Sequence, residues 1–88
     1  MSRISEKAFR KIAENALVVL YEQYPAAMST AKIADELARD NEFTLRVMDF
    51  LKGKSLVIRL AEGRHGAYSS WNKWKMSPAA YKKYSEQG

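Results

Sequence analysis

Ser29-Thr30-Ala31-Lys32-Ile33-Ala34-Asp35-Glu36-Leu37 is the stretch on which the fold turns. The serine at its start carries the side-chain oxygen of a helix N-cap, able to accept from the free amides of the first turn. Ile33, Ala34, Leu37 and Ala38 then recur at three-and-four spacing, which gives one inward face to a short helix running to about Asp40. Asp40 and Asn41 break that pattern, and both residue types suit a tight turn. The helical period resumes from about Glu42 to Lys52. Projected at about 100° per residue, Thr44, Val47, Met48 and Leu51 share the inward side, while Glu42, Leu45, Arg46 and Asp49 face outward. Gly53 suits a left-handed cap that ends this second helix of the pair.

Upstream, Phe9, Ile12, Ala13, Ala16, Leu17 and Leu20 mark one face of a long helix from about Ser5 to Tyr24. Pro25 stops it, because a proline disfavours helical geometry at the residue before it. Val18, Val19 and Tyr21 widen its apolar surface beyond the main stripe. Downstream the period changes to two: Leu56, Ile58 and Leu60 alternate with Val57, Arg59 and Ala61. Glu62-Gly63-Arg64-His65-Gly66 has the composition of a hairpin loop, and Ala67 to Met76 is the return strand. On that strand Trp71, Lys73 and Lys75 share one face, and Asn72, Trp74 and Met76 the other. Ser77-Pro78 opens a last helix, with serine as cap and proline where its missing N–H costs nothing. The expected architecture is mainly α with a small two-stranded hairpin: helix, helix, helix, hairpin, helix. Its expected core is Ile33, Leu37, Val47, Met48, Leu51, Leu56 and Trp74.

The 88 residues make one expected domain, 1–88, since a second core would be too small to close itself from water. The apolar share of 47% and charged share of 28% belong to a folded chain. Without cysteine there is no disulfide, thiolate zinc site or thiol catalysis. No stretch approaches the ~18 apolar residues of a membrane span, and Met1 to Arg10 lacks the apolar run of a secretory signal. A cytoplasmic location follows as the expectation. The net charge is +5. Residues 1–42 hold six basic and seven acidic side chains, residues 43–88 nine basic and three acidic, so the halves carry −1 and +6. That asymmetry suits a polyanion-binding surface in the second half.

Three helices followed by a hairpin resemble the winged helix-turn-helix superfamily. Ser29 to Leu37 looks like that family's cap-x-x-x-Ile-Ala-x-x-Leu helix. Ser55-Leu56-Val57-Ile58-Arg59 resembles the Gly-Leu-Val run entering the wing, with serine where glycine is usual. Glu62-Gly63-Arg64 is similar to the acidic-x-Arg wing tip of multiple-antibiotic-resistance regulators. Lys75-Met76-Ser77-Pro78 resembles the Leu-Thr-x-x-Gly that closes the wing, although the glycine is missing and Ala80 or Tyr81 stands near its place. The resemblance implies a third helix in the DNA major groove and a wing on the adjacent minor groove or backbone. The superfamily also includes members that bind only proteins.

On that footing the DNA-binding residues are Ser29, Thr30 and Lys32, then Arg46 on the third helix and Lys52 and Lys54 after it. Arg59 joins them from the first wing strand, Arg64 and His65 from the wing tip, and Trp71, Lys73 and Lys75 from the return strand. Arg46 is the strong base reader, suited to a bidentate contact with guanine. Its spacing from Glu42 and Asp49 allows surface ion pairs, and those two carboxylates oppose a phosphate-lined groove. Trp71 suits either a base or sugar stack or a second subunit. Phe43 and Phe50 fit packing on the first or second helix, and Tyr81 and Tyr84 a core or dimer seam. Lys82 and Lys83 read as a solvated face. His65 is the sole histidine and has no partners at triad or metal spacing, so neither an enzyme nor a cofactor or metal is expected. The expected partner is double-stranded DNA, bound by a transcriptional regulator forming a homodimer, with no membrane and no small-molecule cofactor. The alternative is a winged-helix protein-interaction module.

Overall fold

The computed structural model describes residues 4–60 and 72–87. Its first helix, α1, spans Glu6–Gln23 and is capped by Ser5, whose Oγ accepts from the Ala8 amide at 3.1 Å. It ends beside Tyr24, extended at ψ 137° ahead of Pro25, as the proline requires. Strand β1 is only Met28–Ser29, and α2 follows at once as Thr30–Leu37. Ser29 caps α2 by accepting from the Lys32 amide at 3.1 Å. Helix α3 covers Asn41–Gly53, capped by Asp40 through a 2.7 Å bond from the Phe43 amide. Strands β2 (Val57–Leu60) and β3 (Lys73–Met76) lead to α4, Pro78–Gln87, where Ser77 Oγ accepts from the Ala80 amide at 3.1 Å.

Two helix ends differ from the sequence reading. Helix α2 stops at Leu37 rather than near Asp40, because Ala38 turns left-handed at φ 58° and its amide and that of Arg39 bond back to Asp35 and Ala34. Helix α3 closes in the same way one residue beyond its cap, at Ser55 (φ 63°) and not at Gly53, which is itself helical. The Ser55 amide donates to the Lys52 carbonyl at 2.9 Å and the Leu56 amide to the Leu51 carbonyl at 3.0 Å, the paired bonds of a Schellman closure. Leu56 is thereby folded back on the helix end, half-buried against the core rather than inside it. The strand starts one residue later with the opposite parity: Val57 is buried, and Leu60 is exposed.

The sheet has three antiparallel strands in the order β1-β3-β2, one more than the expected hairpin. Met28 pairs with Trp74 and Ser29 with Lys73, while Val57 pairs with Met76 and Leu60 with Lys73. A two-residue strand shows no alternation, so β1 leaves no sequence signal. Ala13, Ala16, Leu17 and Leu20 of α1 pack with Ile33, Val47, Met48, Leu51, Val57, Trp74 and Met76 in one core. Five of the seven expected core residues are buried there, while Leu37 and Leu56 sit at its margin. Phe9 joins α1 to α3, meeting Phe43 and Phe50 edge-on at 5.8 and 5.4 Å. Tyr81 of α4 stacks on Tyr24 at 3.9 Å and on Tyr21 at 5.1 Å. Among the described residues no helix is long and apolar enough to cross a membrane.

Candidate nucleic-acid interface

Helix α3 presents Glu42, Arg46 and Asp49 to solvent, while Leu45, expected on that face, is half-buried against the core. Arg46 is not held by the carboxylates flanking it. The ion pair found among the described residues is Glu6–Arg10, at 3.0 Å on α1. The Arg46 guanidinium instead lies 5.8 Å from the centre of the Phe43 ring, and that of Arg39 lies 5.1 Å from the same centre. A ring face attracts a cation but does not neutralise it, so both arginines keep their charge available.

The other expected contacts fall into distinct surroundings. Lys52 is exposed near the end of α3, and Lys54 Nζ lies 5.4 Å over the Phe50 ring. Arg59 on β2 donates from its guanidinium to Asn72 Oδ1 at 3.2 Å, which fixes its direction at the edge of β3. Lys75 is half-buried with Nζ 5.6 Å over the Tyr24 ring, a stem packed on apolar surface and a charged tip left in water. Ser29, Lys32 and Lys73 come together in one depression of about 520 Å³, but Glu22 and Glu36 line it as well. Lys54 belongs to a separate hollow with Arg10 and Tyr84, and Arg46 to another with Phe9. Among the described residues the expected contacts thus form several basic spots and not one continuous patch. Arg64, His65 and Trp71 lie outside the described residues.

Thr30 has to be withdrawn from the surface. Its side chain is fully buried, accepting from the Trp74 indole N–H at 2.8 Å and donating to the Asn72 carbonyl at 3.4 Å. The Thr30 amide donates to the same carbonyl at 3.0 Å. Asn72, itself buried, therefore links the start of α2 to β3 and to Arg59. The sequence reading overlooked this bridging role. Its signal was the alternation placing Asn72 on the inward face with Trp74, where an amide must find partners. The reading also passed over Arg39, which the turn before α3 brings to the same ring as Arg46. Among the described residues no three His, Cys, Asp or Glu side chains gather as metal ligands would.

No protein-family model and no curated protein matches the sequence. Solved structures do match. An apo mutant of ZitR from Lactococcus lactis is 18% identical, with a TM-score of 0.68 over 92% of this chain and 57% of that one. A mutant of MepR from a multidrug-resistant S. aureus clinical isolate is 16% identical, with a TM-score of 0.69 over 86% of this chain and 53% of that one. A second MepR mutant, bound to an oligodeoxyribonucleotide, is 15% identical, with a TM-score of 0.64 over 86% of this chain and 57% of that one. The chain spans little more than half the length of each. At this identity the likeness shows the fold, and that fold is a winged helix-turn-helix.

Proposed function

We propose that the chain is the DNA-binding module of a transcriptional regulator, a binding protein and not an enzyme, with α3 in the major groove of double-stranded DNA. The observation that carries this reading is Arg46, which stands exposed on the outward face of α3, poised over Phe43 and in no ion pair among the described residues. An arginine so held suits the paired acceptors of guanine. Support comes from the neighbour of the same fold bound to an oligodeoxyribonucleotide and from the +6 charge of residues 43–88. Lys52, Lys54, Arg59 and Lys73 would meet phosphates on either side of the helix. In a two-fold pair of chains the two α3 helices would read a palindromic site. Glu42 and Asp49 favour a second reading, a module that binds a protein of mixed charge, because two carboxylates are repelled by a phosphate-lined groove.

Salt separates the two. Mobility shifts with mixed DNA fragments should weaken steeply between 50 and 200 mM salt as phosphate counterions are released. Arg46→Ala should relax the preference among fragments by about 1–3 kcal/mol, and Asp49→Asn should tighten binding to all of them. Sedimentation of the complex should give two chains per site. Absence of any shift at either salt concentration, or a shift indifferent to salt and to Arg46, would sink the regulator reading.

A further inference from the structure

The first half of the chain carries a net charge of −1, yet the fold gathers its cations. Lys7 and Lys11, one turn apart on α1, meet Arg39 from the turn between α2 and α3 around an open hollow of about 400 Å³. Ser5, Ala8 and Ile12 complete its wall, and no carboxylate lines it. A second hollow of about 360 Å³, lined by Arg46 and Phe9 among others, shares Ser5 with the first. Phe43 joins the two, since the guanidinium groups of Arg39 and Arg46 lie over its one ring. Glu6 also lines this second hollow, with its carboxylate paired to Arg10 at 3.0 Å. Among the described residues none of Lys7, Lys11, Arg39 and Arg46 is in an ion pair.

Cations assembled without counter-charges repel one another, and a partner with closely spaced anionic groups relieves that repulsion. A nucleic-acid strand offers one charge per ~3.4 Å, close enough for neighbouring lysines and arginines to meet successive phosphates. We propose that the hollow of Lys7, Lys11 and Arg39 grips the sugar-phosphate backbone beside the groove that α3 enters. It extends the interface from the basic second half onto α1. The inference rests on the DNA-binding reading, and it adds residues that carry no sequence preference, because phosphate contacts position a protein without reading bases.

The test compares salt slopes of DNA binding for the whole chain and two double variants, Lys7→Ala/Lys11→Ala and Lys82→Ala/Lys83→Ala. Each removes two positive charges from exposed helix positions, so a general charge effect would be equal in both. Loss of two phosphate contacts should lower the slope of log affinity against log salt by about 1.8 in the first variant. The affinity lost between 50 and 200 mM salt then shrinks about 12-fold relative to the unaltered chain. The Lys82/Lys83 variant should keep the original slope, and Arg39→Ala should lower it by about 0.9. Thermal melts check folding, with Lys7→Gln/Lys11→Gln measured in place of the alanine pair if that pair melts early. Equal slopes for both double variants, or an unchanged slope for Lys7/Lys11, overturns this inference alone. An unaltered chain that binds no DNA overturns it together with the reading beneath it.

Discussion

Two threonines with identical burial stand in opposite chemical positions. Thr30 and Thr44 are both fully buried. The Thr30 hydroxyl accepts from the Trp74 indole and donates to the Asn72 carbonyl, whereas Thr44 Oγ1 has no partner among the described residues. Valine has the shape of threonine without its hydroxyl, so the same substitution should act with opposite sign at the two sites. Thr30→Val strands the Trp74 N–H in the core, at a cost of about 1–3 kcal/mol. Thr44→Val removes an oxygen that was desolvated without compensation and should be neutral or stabilising by up to about 1 kcal/mol. For a domain of this size each kcal/mol moves the melting temperature by roughly 4–8 °C. Melts of the two variants should therefore shift apart, and a Thr44→Val variant that melts as early as Thr30→Val would refute this assignment of partners.

At the level of elements, helix starts and helix ends obey different evidence. The caps Ser29 and Ser77 were legible because a serine ahead of an apolar period, with proline after it at Ser77, is local chemistry. Ser5 fits the same rule. The ends of α2 and α3 were not, because each left-handed position holds a residue other than the glycine usual there: Ala38 and Ser55. Because the α3 closure runs on to Ser55 and takes up Leu56 through its bond to Leu51, β2 begins at Val57, and Val57 instead of Leu56 enters the core. The ion pairs that spacing allows Arg46 with Glu42 and Asp49 do not form among the described residues, and its guanidinium lies over the Phe43 ring instead. A side chain with a Cβ pays steric energy in the left-handed region that glycine avoids. Ala38→Gly and Ser55→Gly should each raise stability by about 0.5–1 kcal/mol, the strain relieved exceeding the added freedom of the unfolded chain. Denaturant midpoints check this, and a fall in both would mean that these closures carry no strain.

Across the whole molecule, attachment is uneven. Helix α1 buries Ala13, Ala16, Leu17 and Leu20 in the core, and α3 buries Thr44, Val47, Met48 and Leu51. Helix α4 buries Ala80 alone. It is otherwise held by the stacking of Tyr81 on Tyr24 and Tyr21, by the tilted Tyr84 ring 6.4 Å from Tyr21 and by the 3.3 Å bond between the Tyr21 hydroxyl and Ser85 Oγ, with residues 82–87 exposed. Little apolar surface has to be uncovered to free it, whereas releasing α1 dismantles the core. Backbone protons should reveal that difference in time. In heavy water the amides of residues 82–87 should exchange through local opening, nearly unaffected by low denaturant. Those at Ala16 and Leu20 should wait for the entire fold to open, their rates climbing with denaturant as the global stability falls.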